Sequence, residues 1–234
     1  STSAPIALVD EVEYGLEPHR LMRLLDSLGA KDATLPLQVF LTTHSPVALR
    51  ELSGDQLFVV RPGPPSHAVA AAGTADEIQS TLRADPEAFL AKSVIVCEGA
   101  SEVGFARGLD QWWVKCGASS FLANGGAYVN AGGGNPDKAF ARGTALRKLG
   151  YRVSVFIDAD KPASAGVAEA YLATGGQLLT WRNGLTLEDE LFRHLSVDAK
   201  DALMTKAKEL VGAELMNQHI QTRSNGHASL DSIE

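Results

Sequence analysis

Three features of this 234-residue sequence predict an α/β fold, with parallel sheet strands flanked by helices. Short β-branched runs alternate with stretches of helical periodicity, and strands separated by helices pair in parallel. Acidic residues stand just past several of those runs, where the strand ends of a parallel sheet gather along one edge. From Leu187 to Gln221 the pattern is helical throughout, so a helical segment follows the sheet.

Composition sets the outer bounds. Hydrophobic residues make up 45% and charged residues 21%, the balance of a globular chain with one large or two modest cores. No apolar run approaches the roughly 20 residues that span a bilayer, and the N-terminus carries no basic-then-apolar signal. The expectation is a cytoplasmic protein with no membrane partner. Cys97 and Cys116 cannot build a disulfide framework, and no Cys/His cluster has zinc spacing. A net charge of −7 opposes indiscriminate nucleic-acid binding only weakly. Carboxylates that hold metal are counted in it, and bound ions reverse the local sign.

Ile6–Val9 and Gln38–Leu41 read as strands on either side of a helix whose Leu21, Leu24, Leu25 and Leu28 recur at helical spacing. Gln56–Val60 reads as a further strand. Three prolines and a glycine in the stretch 61–66 then break regular structure and place a boundary near residue 65. Residues 66–91 form a connector, with a short helix over Thr74–Arg83. A second α/β region opens with a strand at Val94–Cys97, continues through a helix over Glu102–Lys115 and a strand over Ser120–Ala123, and reaches a glycine-rich loop, Gly125–Asn135. A helix over Lys138–Leu149 and strands at Val153–Ile157 and Gln177–Thr180 complete it. Trp112 and Trp113 fall in a helical pattern and are expected in a core or interface rather than stacked on bases. The polar stretch Ser224–Glu234 is expected to be mobile.

The first constellation of acids follows the first strand. Ile6-Ala7-Leu8-Val9-Asp10-Glu11 is an apolar strand ending in two carboxylates, and Thr42-Thr43-His44-Ser45 follows the next strand. Asp10 suits a nucleotide-bound magnesium, Glu11 suits an attacking water, and His44 suits a terminal phosphate. No Gly-x-x-x-x-Gly-Lys-[Ser/Thr] phosphate loop occurs in the sequence. ATP binding is therefore expected only of a longer protein that supplies that loop.

The second constellation lies at the ends of two later strands. Val-Ile-Val-Cys ends in Glu98-Gly99, with Glu102 in the first turn of the following helix, and Val-Ser-Val-Phe-Ile ends in Asp158-Ala159-Asp160. Brought together, these carboxylates repel one another unless hard divalent cations intervene. Thr186 is a helix cap, and Glu188 to Glu190 sit in the first turn behind it. Lys161 either neutralises the neighbouring acids through a salt bridge or touches substrate.

The order Asp10-Glu11, then His44, resembles the C-terminal half of an ABC-type ATPase, with a Walker B pair and a switch histidine. Val-Ile-Val-Cys-Glu-Gly followed by a strand ending in Asp-x-Asp resembles the Toprim domain of topoisomerases, primases, recombination proteins and nucleases. Pro162 in place of a third acid, and the presence of Glu102, favour the nuclease branch. The combination resembles the OLD (overcoming lysogenisation defect) family of nucleases over about residues 4–195. That resemblance implies an ATPase end over 1–65, a connector over 66–91, a Toprim nuclease over 92–195 and a helical segment with a polar tail over 196–234. It implies a DNA endonuclease using Mg2+ or Mn2+, with two ions held by Glu98, Glu102, Asp158, Asp160 and Glu188, and Glu190 as the alternative to Glu188. The ATP-site remnant is Asp10, Glu11 and His44, and Lys161 is a weak DNA contact. DNA is the expected partner, a homo-oligomer is expected at full length, and phage defence or DNA repair is the implied setting. Two rival readings are an ATP-gated DNA-binding or scaffold protein with a non-catalytic Toprim domain, and primase or topoisomerase chemistry. None of the four tyrosines stands in a recognisable nucleophile setting.

Overall fold

A computed structural model describes residues 5–32, 38–63 and 66–233. Packing divides the chain after Gly184 into a first unit and a second that begins at Leu185. The sequence-based divisions near residues 65, 91 and 195 follow motif order instead. Pro64 and Pro65, where the first was placed, lie outside the described residues.

Strands β1 (Ile6–Val9) and β2 (Gln38–Leu41) pair in parallel, Ile6 opposite Gln38 and Val9 opposite Leu41. Between them runs α1 (Pro18–Ser27), which starts on a proline, where a missing N–H removes no helical bond. Leu21 and Leu25, one turn apart, are buried with Val12 and Ala48 against Val9, Leu24 and Leu41. The opposite face of the pair leaves Ile6, Leu8 and Phe40 exposed. Helix α2 (Pro46–Glu51) follows, capped by Ser45, whose Oγ accepts from the Ala48 N–H.

Strands β3 (Phe58–Arg61) and β4 (Ala68–Ala71) pair antiparallel, and α3 (Asp76–Ala84) and α4 (Glu87–Leu90) come next. The presumed connector is thus a strand and two helices. Its packing is intimate: Leu82 and Phe89 join Leu49 in the core of the larger sheet, and the buried Tyr151 hydroxyl donates to the Phe89 carbonyl at 2.7 Å.

The larger sheet is parallel throughout, in the order β6-β5-β7-β8. Along the chain it is built from β5 (Ser93–Cys97), α5 (Ala100–Lys115), β6 (Gly126–Asn130), α6 (Asp137–Lys148), β7 (Arg152–Ile157), α7 (Val167–Ala173) and β8 (Gln177–Thr180). Alternation within the strands assigns the helices to faces. Val94, Val96, Val129, Val153 and Val155 join Phe140 and Leu146 of α6 and Tyr171 of α7. Ile95, Cys97, Tyr128 and Phe156 meet Val103, Phe105 and Ala106 of α5 on the other side. Gly143 lets α6 approach closely, since a Cβ there would lie 2.8 Å from Val155 Cγ2.

Two expectations fail in this region. Ser120–Ala123 is a turn, because the buried Asp110 carboxylate accepts the Ser120 hydroxyl at 2.8 Å and the Phe121 N–H at 2.6 Å. The glycine-rich stretch is a strand in its first half: Ala127, Tyr128 and Val129 are buried, and only 131–135 is loop. Trp112 and Trp113 are 58% and 45% exposed, which rules out the core among the two places expected for them.

The second unit comprises α8 (Leu187–His194), α9 (Val197–Val211), α10 (Ala213–Arg223) and α11 (Leu230–Ile233). Thr186 caps α8 as expected, its Oγ1 accepting from the Asp189 N–H at 3.2 Å. In the tail expected to be mobile, Leu230 is buried and its N–H donates to Asn217 Oδ1 at 2.8 Å, and Glu234 lies outside the described residues. No described helix is long and apolar enough to cross a membrane.

Candidate functional site at the carboxyl edge of the parallel sheet

Strand β5 leads to β6 on one side, while its other neighbour β7 leads to β8 on the far side, so the connections leaving these two adjacent strands run in opposite directions. The resulting switch point, between the carboxyl ends of β5 and β7, is where open parallel sheets form ligand crevices. Glu98 directly follows β5, and Asp158 directly follows β7.

Glu98 is held from three sides. Its N–H donates to the Phe156 carbonyl at 2.8 Å, extending the ladder one residue past the strand. Its carbonyl accepts the Gly133 N–H at 2.7 Å, and its Oε2 accepts the Asp158 N–H at 3.2 Å. Gly99 ends the strand and caps α5, and its N–H donates to Glu102 Oε2 at 2.7 Å. Glu102 is only 4% exposed, so its carboxylate is both a helix-start brace and a buried negative charge. Burial raises the Glu98 pKa, and the Glu102 and Asp160 charges raise it further. The Asp158 amide and the Lys161 charge oppose them without reversing the shift.

Lys161 is exposed beside the acids, and its charge lowers the Glu98 pKa. Cys97, at the end of β5, is buried, and burial with the nearby Glu102 and Asp85 charges pushes its thiol up to about 12. It is a small hydrophobe here, not a nucleophile.

The structure therefore brings Glu98, Glu102, Asp158, Asp160 and Lys161 to one sheet edge. Glu188 and Glu190 belong to the second unit, in the first turn of α8, where Glu190 faces His194 at 3.6 Å. Among the described residues no three His, Cys, Asp or Glu side chains already stand together as a metal cage. The carboxylate oxygens at this edge are hard donors of the kind that Mg2+ takes. Such ions bind through one or two carboxylates and complete their shells with water and substrate phosphate.

Sequence reasoning missed the supports of this edge. Asp85, just past α3, accepts the Asn130 N–H through Oδ2 at 3.2 Å, and Arg142 donates to the Asn130 carbonyl at 2.7 Å. Asp137, the first residue of α6, accepts the Ser164 N–H at 2.8 Å and the Ser164 hydroxyl at 2.5 Å. The signal was present in Asn135-Pro136-Asp137, a helix-start pattern, but what it would touch was not.

A different pair of acids stands at the end of the first sheet. The Thr42 hydroxyl donates to Asp10 Oδ1 at 2.5 Å and accepts the Glu11 N–H at 2.8 Å. That bond steadies Glu11 in the left-handed region at φ 48°, a conformation that costs a non-glycine residue about 1 kcal/mol. Asp10 and His44 follow β1 and β2, so the three expected ATP-site residues share one sheet edge.

Residues 1–50 match the family model described as AAA domain, putative AbiEii toxin, Type IV TA system. The first fifty residues are thus similar to an AAA-type ATPase domain, a class that uses nucleotide with Mg2+. The match spans β1 to α2 and stops short of the larger sheet. No curated protein matches the chain.

Proposed function

We propose that the larger sheet carries a DNA endonuclease site of the Toprim type, with Glu98 and Asp158 as principal ligands of a divalent ion and Asp160 and Glu102 as ligands of a second. The observation that carries this reading is the pinning of Glu98 to the Asp158 amide at the switch point of a parallel sheet. Glu188, or Glu190 in its place, enters on the sequence resemblance to OLD-family nucleases alone. When bound, the ions supply Lewis acidity that lowers the pKa of the attacking water and offsets charge on the departing 3′ oxygen. The chain's own work is positional. The three bonds on Glu98 fix its backbone and one carboxylate oxygen, Gly99 turns the chain so that Glu102 folds back beside it, and Lys161 tempers the summed negative charge. In a longer protein the AAA-like segment would couple ATP turnover to this site, in keeping with a role in phage defence or DNA repair and with a homo-oligomer.

Incubation with supercoiled plasmid and Mn2+ or Mg2+, without ATP, tests the proposal. Nicked or linear product that disappears with chelator supports it, and no cleavage with either ion overturns it. One observation favours a second reading, a DNA-binding scaffold with a silent Toprim-like domain: Glu102 Oε2 is already engaged by Gly99. Retardation of DNA by the protein with no cleavage under any divalent ion would select that reading.

A further inference from the structure

The amino end of α6 is clamped between the two loops that flank the switch point. On one side Asp137 holds Ser164, in the loop that leaves Asp160. On the other, Lys138 Nζ reaches the Gly133 carbonyl at 3.4 Å, while the Gly133 N–H donates to the carbonyl of Glu98. Lys138 therefore stands one hydrogen-bonded residue away from Glu98. It is exposed, and among the described residues it makes no ion pair. Its single bond is long, to a neutral carbonyl, so that a phosphate oxygen replaces it at little cost. The glycines at 132, 133 and 134 all have positive φ, and no side chain there blocks approach to the ammonium.

We propose that Lys138 is a phosphate-contacting residue that seats the DNA backbone over the Glu98–Asp158 edge, acting with Lys161 of the loop after β7. The proposal rests on the nuclease reading and adds to it a cation on a different element from the acids. A four-carboxylate edge repels a polyanion, and cations at its border give the backbone a path across it.

Binding of a fluorescent duplex to the protein in EDTA, followed across a range of salt, tests this without any metal. Lys138→Gln should weaken binding several-fold at low salt and reduce the slope of log K against log salt by about 0.9, the loss of one phosphate contact. Lys148→Gln, at the far end of the same helix, should leave both unchanged. In Mn2+ the Lys138→Gln protein should cut plasmid more slowly at low DNA concentration and recover at high concentration. An unchanged salt slope with wild-type cleavage would overturn the role of Lys138 and leave the nuclease reading intact. A wild-type protein that neither binds nor cuts DNA would overturn both. Equal losses in Lys148→Gln would show a general charge effect and overturn the assignment to Lys138.

Discussion

The carboxylate of Glu13 accepts the backbone N–H of His44 at 2.6 Å and, through its other oxygen, the hydroxyl of Thr43 at 2.7 Å. The turn after β1 is thereby fastened to the turn after β2, and the backbone of the expected switch histidine is set by an acid 31 residues earlier. Burial pushes the Glu13 pKa upward, but the Thr43 hydroxyl, the His44 amide and the nearby His44 charge outweigh it, and the net shift is downward. A carboxyl with a depressed pKa contributes stability above its unfolded value of about 4.3, and that contribution fades as pH falls through the folded pKa. Glu13→Gln should therefore melt below the wild type at neutral pH and converge with it in acid. Thermal melts from about pH 3 to pH 7 measure this, and a gap that does not vary with pH would refute the electrostatic account.

Glu98 has the opposite sign. Its raised pKa means that the native state holds its proton more tightly than the unfolded chain does, so ionised Glu98 costs stability above the folded pKa. Glu98→Gln keeps an oxygen for the Asp158 amide and removes the charge. It should raise the melting temperature at pH 7 by up to about 3 °C, an effect that disappears below about pH 4. Mn2+ should raise the melting temperature of the wild type through binding to the native state, and much less that of the variant. A variant with a full metal-induced shift would exclude Glu98 as a ligand.

Asp110 makes a prediction about stability alone. Asp110→Ala strands the Phe121 N–H and the Ser120 hydroxyl and should cost about 1–3 kcal/mol, whereas Asp110→Asn should lose roughly half of that. Urea midpoints with an unchanged m-value are the measurement.

Asp10→Ala and Glu11→Ala should leave plasmid cleavage within about twofold of wild type, because both residues follow β1 of the other sheet and, among the described residues, share no hydrogen bond with the Glu98 edge. Loss of cleavage in a well-folded Glu11→Ala protein would move the chemistry to the first sheet.

Strands β1, β2, β5, β7 and β8 were legible in the sequence because each is an apolar run bounded by turn residues. Strand β6 was not, since Gly126-Ala127-Tyr128-Val129-Asn130 carries a single β-branched residue and lies beside glycines that read as loop. Strand β4, Ala-Val-Ala-Ala, hides for the same reason. The adjacency of Glu98 and Asp158 could be anticipated because each ends a strand of one parallel sheet. The flank of the site could not, because Asp137 reaches Ser164 only through the meeting of loops from different crossovers, and Lys138 turns back onto Gly133 within its own connection. The order β6-β5-β7-β8 itself leaves no trace in periodicity.

That order carries a consequence for synthesis. Ser93 of β5 pairs with Gly126 on one side and with Arg152 on the other, so both partners of the innermost strand lie well downstream of it. A chain emerging from the ribosome exposes Val94-Ile95-Val96 with both backbone edges open until Gly126–Asn130 has followed, and with one edge open until Arg152–Phe156 has. Pairing of this separation forms slowly, since loop closure precedes any reward from contact. Unpaired apolar edges are the surfaces through which nascent chains associate wrongly. The strand that ends in Glu98 is therefore the one whose folding waits longest, and yields of folded protein should respond more to growth temperature and chaperone supply than the stability of the finished fold would indicate.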